Sequence, residues 1–417
     1  MKRRALAVAV GALFVAPAAH AQITFGNEQL GTLQIYGKLY PQLGWSSSSS
    51  ATQPGTTVSN LVSTSPTNFA CPAASCPGTN VQPRTTIDVQ NSYLGFRGER
   101  NLGTGLKAIW QLETATEFDT GTGQWSTRNS FAGLSSQSFG TVKLGNMDTV
   151  YKEYGDTFSM FGISSGNFVS ASNVLSHIGV GNNRSARFHE RRPNSLFYET
   201  PTYANFTGGF MYGPDEAKTN SLNANLYSYG VKWDTERFYA SIHQEQHNDF
   251  FGGSNNVATP GLTNVGTAGA HSHDRATRFS AEWRIVARNR LVLDIARLTY
   301  KETGQAPGAV RFQSYEHTNW GLGYETGFGP WTLATQFLQG GEGTCHLTGG
   351  PGCSTEGLRG RMLTAGVRYR FDRQTFVYAI GAALQNGKSS RYDNWSAADP
   401  NRGGEIKQAA VGLSYTF

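Results

Sequence analysis

Hydrophobic and polar residues alternate one by one at both ends of the chain. Near the start, Leu33, Ile35, Leu39, Leu43 and Trp45 share one parity, while Gln34, Tyr36, Lys38, Tyr40 and Gln42 share the other. At the end, Ala409, Val411, Leu413, Tyr415 and Phe417 alternate in the same way with Gln408, Gly412, Ser414 and Thr416. Successive side chains of a strand point to opposite faces, so each run predicts a strand with one greasy and one wet face. The code recurs between them. Leu94 and Phe96 stand against Arg97; Ala108, Trp110 and Leu112 against Lys107, Gln111 and Glu113; Phe279, Ala281, Trp283 and Ile285 against Arg278, Ser280, Glu282 and Arg284. The run from Leu291 to Tyr300 fits least well, because Asp294 and Arg297 differ in parity, and a bulge there would reconcile them.

Connections alternate in length as residues alternate in polarity. Short turns fall at 101–105, 136–140, 201–205, 234–237, 287–290, 328–330 and 372–375. Long polar loops fall near 46–86, 115–128, 147–193, 213–225, 246–276, 301–313, 340–358 and 386–404. Seven turns and eight loops predict about 16 strands with both termini on the short-turn side, an even number as in single-chain bacterial outer-membrane barrels. The expected fold is all-β, a transmembrane antiparallel barrel with a watery lumen, since a barrel of about 8 strands fills itself with side chains. A soluble sandwich or solenoid has no reason to sort its loops by side, and here the apolar face has no second sheet to cover it.

Composition then removes an apparent objection. Mean hydropathy is −0.40, and no apolar run after residue 22 is long enough to span a bilayer as a helix. A barrel strand turns only alternate side chains to lipid, so its hydrophobicity escapes a window average. Lys2, Arg3 and Arg4, the apolar stretch Ala5 to Val15 and the small-residue box Ala19-His20-Ala21 predict an export signal over 1–21 and a single barrel domain over 22–417. Three of the six excess positive charges lie in that signal, and the remaining balance of about +3 is too mild to implicate nucleic acid. Cys71 with Cys76, and Cys345 with Cys353, lie in Gly/Pro/Ser/Thr-rich stretches and read as two loop disulfides in an exported chain. Their spacing does not repeat a Cys-x2-Cys zinc knuckle.

Histidines and acids gather in two loop regions, His243, His247 and Asp249 in one and His271, His273 and Asp274 in the other. No His-Glu-x-x-His or Walker pattern organises them, so they read as ordinary polar residues; no enzyme activity, metal or cofactor is expected.

Several segments, in order, resemble the general porins of Gram-negative bacteria, the betaproteobacterial type in particular. They are Leu33-Gln-Ile-Tyr-Gly-Lys-Leu-Tyr40; Ser92-Tyr-Leu-Gly-Phe-Arg-Gly98 leading into Asn101 to Glu113; Phe131-Ala-Gly-Leu-Ser135 with Phe139 to Gly145; Arg191 to Tyr198; Gly366 to Phe371; and Gly412-Leu-Ser-Tyr-Thr-Phe417. The resemblance implies an outer-membrane homotrimer whose third long loop, here about 147–193, folds into the lumen and faces a basic wall with acidic residues. Those acids would be Asp148, Glu153 and Asp156, and the basic candidates Lys38, Arg97, Lys107, Lys143, Arg191, Arg368 and Arg370. Relatives commonly carry Arg where this chain has Tyr93 and Asn146, and an apolar residue where it has Lys38. That implies a constriction less positive than usual, or one that uses Lys38. It also implies lipopolysaccharide around the rim and Phe417 as the terminal aromatic presented to the barrel assembly machinery.

Lumen-parity residues on the clearer strands include nine basic ones (Lys38, Arg97, Lys107, Lys143, Lys232, Arg278, Arg284, Arg368, Arg370) against four acidic ones (Glu113, Glu245, Glu282, Glu325). A diffusion channel for ions and small hydrophilic solutes with mild anion preference is expected. The alternative is a substrate-selective channel or surface receptor for a sugar, phosphate or other nutrient. Tyr36, Tyr40, Tyr151, Tyr154, Phe158 and Phe161 are the candidates to line its path, and the last four could equally pack the third loop against the wall.

Overall fold

In the computed structural model the alternating segments become strands of one antiparallel sheet that closes on itself. It describes residues 23–27, 31–61, 70–89, 91–163, 165–181, 184–257, 264–265, 267–286, 288–304, 311–349, 353–393 and 401–417. The expected export signal over 1–21 lies outside the described residues.

The first strands are β1 (Ile23–Asn27), β2 (Gly31–Leu39), β3 (Gln42–Ser49), β4 (Arg84–Asp88), β5 (Tyr93–Gly103), β6 (Leu106–Ala115), β7 (Ser130–Ser136) and β8 (Gly140–Asp148). Then come β9 (Arg191–Glu199), β10 (Phe206–Gly213), β11 (Leu226–Asp234), β12 (Phe238–Asn248), β13 (His271–Val286), β14 (Asn289–Thr303) and β15 (Phe312–Phe328). The series ends with β16 (Trp331–Gly340), β17 (Thr344–Leu347), β18 (Gly360–Arg370), β19 (Thr375–Asn386) and β20 (Glu405–Thr416). β2 with β3, and β4 with β5, each form one stave interrupted by a few residues; β1 and β17 are accessory, and the rest make sixteen staves.

The seam closes where β20 pairs with β3 and with the end of β2. There the Phe417 and Gly37 main chains exchange both hydrogen bonds at 3.0 Å. A side chain on Gly37 would strike the Phe417 ring, so the closure itself requires glycine at that position. β1 pairs with the first half of β2 and carries on the line of β20 past Phe417.

Short turns and long loops alternate as expected. The loops are L1 (50–83), L2 (116–129), L3 (149–190), L4 (214–225), L5 (249–270), L6 (304–311), L7 (341–359) and L8 (387–404). Both disulfides form, Cys71–Cys76 within L1 and Cys345–Cys353 within L7. The greasy parity faces outward: Leu43, Trp45, Phe279, Trp283, Leu322, Leu363 and Val411 are all exposed, as lipid-facing positions must be.

Two expectations change. β14 pairs with β15 in unbroken register from Asn289 to Lys301, and its shift against β13 falls lower, between Arg284 and Val286; no bulge lies within 291–300. Asp294 instead points inward and Arg297 outward, where Arg297 pairs with Glu316 at 2.9 Å near the long-loop end. The inward face is also not wet on every strand. From β12 to β20 it is mostly buried, because L3 packs on it.

Candidate functional site

L3 lies against the inner wall and is held there by two kinds of contact. Its aromatic side chains sit where the wall has no side chain of its own. A Cβ added to Gly209 would stand 2.8 Å from the Tyr154 hydroxyl, one on Gly323 2.6 Å from the Phe158 ring, and one on Gly366 2.8 Å from the Phe161 ring. Main-chain groups of L3 are then met by wall side chains, as buried peptide groups require. Tyr239 and Ser241 hydroxyls donate to the Tyr154 carbonyl, Arg290 to those of Thr157 and Ser159, Asn319 to that of Val174 and Gln336 to that of Val169.

The deepest anchor is an L3 hydroxyl, that of Thr157, on an ion pair of the wall. Arg278 and Asp294, both fully buried, pair at 2.9 Å, and Ser280 and Thr157 also donate to the Asp294 carboxylate. L3 opens with α1 (Val150–Gly155), whose first turn is capped by Thr149; that hydroxyl also donates to the buried Glu245. The short α2 (Ser172–Leu175) packs near β15, β16 and β18. At the far tip, the Lys38 ammonium reaches the Gly162 carbonyl at 3.1 Å and lies over the Tyr40 ring.

The wall of β5 to β8 keeps its polar face half-open. Arg97 donates to Gln34 and covers the Tyr36 ring, and the Lys143 ammonium stands 4.0 Å from the Phe197 ring centre. Lys107 pairs with Glu99 beside the 103–106 turn, and Arg370 is exposed at the short-turn end of β18. Asp148 and Arg191 face each other across β8 and β9 at 2.9 Å, and Asp148 also takes Lys152 at 3.0 Å, so one carboxylate holds two cations. Asp156 is committed to His189 within L3. Below L3 a chain of charges runs Asp234, Arg284, Glu282, Arg290, Glu325, Arg368 at 2.8 to 3.7 Å.

Glu153 alone among the acids Asp148, Glu153, Asp156 and Glu190 is exposed. Its place deep inside the barrel pushes its carboxyl up to about 7, with Asp148 and Glu199 adding to the rise and Lys143 and Lys232 opposing it. Protonating it removes a negative charge from the lumen. Anion preference should therefore increase from about pH 8 to about pH 6, and Glu153→Gln should flatten that dependence in reversal-potential recordings.

A family model described as Gram-negative porin matches residues 5–417. The chain belongs to that family. The major outer membrane protein P.IB of Neisseria lactamica is 31% identical over 162 residues, and the match spans 39% of this chain but only 44% of that protein. P.IA of Neisseria meningitidis serogroup B is 24% identical over 363 residues, covering 80% of this porin and 83% of the relative. Among solved structures, the anion-selective porin from Comamonas acidovorans has a TM-score of 0.65 at 18% identity, over 93% of this chain and all of that one. OmpT of Vibrio cholerae gives 0.60 at 14% identity, over 95% and 100%. At such identities the likeness is one of fold. The porin is an outer-membrane β-barrel.

Tyr93 and Asn146, where the resemblance implied arginine, meet at one residue that sequence reasoning missed. The Arg128 guanidinium, at the end of L2, lies 4.9 Å from the Tyr93 ring centre and pairs with Glu113, which also accepts from Tyr36. Asn146 donates to the Ser126 and Arg128 carbonyls and so fixes the segment that presents it. Arg128 brings a cation to the wall beside Tyr93. A loop residue has no period to reveal its direction, and only the β7–β8 register, which sets Asn146 opposite Ser130, brings the two together.

Proposed function

We propose that this porin forms a water-filled channel through which ions and small hydrophilic solutes diffuse passively, with a mild preference for anions. The observation that carries the reading is the lopsided seat of L3. One side of the barrel is consumed as its platform, and the half-open remainder is lined by Arg97, Arg128, Lys143 and Arg191, with Glu153 as the exposed L3 acid. Facing charges across a narrow passage tune ion preference, whereas wall charges more than about 8 to 10 Å from an ion are screened at physiological salt. Permeation rates of uncharged sugars in proteoliposomes should fall with size alone; saturation by one sugar class would overturn passive diffusion. The aromatics that a substrate-selective path would use (Tyr36, Tyr40, Tyr151, Tyr154, Phe158, Phe161) are each 8% exposed or less, so they pack L3 and the wall instead of lining a ladder.

The working unit in this reading is a homotrimer, with lipopolysaccharide around the outer rim, made as a precursor whose first 21 residues are removed. Phe417 carries the assembly signal. Deleting Phe417 removes both main-chain bonds to Gly37 at the seam. The yield of folded trimer, read as heat-modifiable mobility on gels, should drop sharply, while channels that do insert conduct normally; an undiminished yield counts against the signal.

A further inference from the structure

Where the return limb of L3 meets the end of L2 there is a cavity of about 230 Å³ that simple diffusion does not need. Arg128 reaches it from L2, Lys152 from α1, His177, Arg184 and Arg187 from L3, and Arg191 from the first position of β9. Glu190 is the one carboxylate in that lining among the described residues. The other acids serve these cations from outside the lining. Asp148 holds Lys152 and Arg191, Glu113 holds Arg128, and Asp393 acts on Arg187. Arg184 pairs with Glu190 at 3.3 Å yet stays 77% exposed. His189, also in the lining, is engaged by Asp156. Burial and the charge of Arg187 keep the His177 imidazole well below its ordinary range, so it offers a neutral ring.

Five permanent cations from three segments thus converge on one space whose lining holds one acid. Guanidinium forks match oxyanions in two-point geometry, and a single monovalent ion would engage few of the donors. We infer that this cavity binds small multivalent oxyanions of the phosphate, pyrophosphate and dicarboxylate class as they pass between L2 and L3. The inference rests on the anion-preferring reading and adds to it a solute class and a place.

Pyrophosphate titrated into single-channel recordings of the intact porin in KCl should block the current saturably. Arg187→Gln, and Arg184→Gln at the exposed position where folding is not at stake, should each raise the half-blocking concentration roughly tenfold, as expected for losing one hydrogen bond to a charged group. Arg297→Gln, on the outer face, should leave it unchanged. Saturable block that shifts in both cavity variants and not in the outer-face one supports the site. An unshifted half-block in conducting Arg184→Gln channels overturns it. Reversal potentials taken on the same channels separate the two ideas: cation preference overturns the reading beneath, whereas anion preference without saturable block overturns the oxyanion site alone.

Discussion

Replacing Gly323 and Gly366 together by valine is expected to lift the middle of L3 off the wall and raise the unitary conductance severalfold. The Phe158 ring already occupies the volume needed at Gly323, 2.6 Å from the added Cβ, and at Gly366 the added Cβ meets the Phe161 ring at 2.8 Å as well as the wall side chain of Ile380 at 2.7 Å. Overpacking of this kind costs about 1–3 kcal/mol at each site, and the two sites lie on different strands, so the costs should roughly add. Barrel strands gain by keeping their ladder, whereas L3 is held by side-chain packing, hydrogen bonds and the Lys152–Asp148 pair and shares no strand ladder with the wall. The loop is the part that should move. Gly381→Ala is the control, because its added Cβ would meet only the Gln408 carbonyl, at an ordinary 3.5 Å. Planar-bilayer recordings check both, and an unchanged conductance in the valine double variant would mean that L3 is not what narrows the lumen.

Asp294→Ala should be the most destabilising single substitution in the lumen. Arg278 is 1% exposed, and removing its partner strands a guanidinium away from water, at a cost of about 3–5 kcal/mol. The same change deletes the acceptor for Thr157 and so loosens L3. Replacing both members, as in Arg278→Met with Asp294→Leu, should recover most of the loss, since a well-packed apolar pair often matches a buried ion pair. Urea midpoints followed by tryptophan fluorescence give the comparison. A single variant within about 1 kcal/mol of the parent would show that the pair is not the anchor described.

Strand number, strand boundaries and the sorting of loops were legible in the sequence because a lipid-facing residue must be apolar and its neighbours need not be. Where the reading failed, that premise failed. Val292, Ala296, Leu298 and Tyr300 point inward yet are buried against L3 and its neighbours, and Arg297 points outward beside Glu316. β14 therefore looked irregular although its register is continuous. A parity argument assumes one solvent per face, and here the inner face changes neighbours from water to protein along a single strand. The glycines opposite Tyr154, Phe158 and Phe161 were not singled out, because which loop they receive is a matter of tertiary placement. Among the charged candidates, Asp148 and Arg191 are joined because β8 and β9 are adjacent in register, a fact that strand counting contains. Arg128 and Lys152 come from a loop end and a short helix, where no periodicity carries information.

The lopsided L3 and the basic strip opposite it stand or fall together on the sign of the channel's ion preference. Zero-current potentials across planar bilayers under a KCl gradient measure it directly. A potential on the chloride side is expected at neutral pH, shifting further toward chloride as Glu153 takes up its proton; a potential on the potassium side would contradict an anion-preferring lumen.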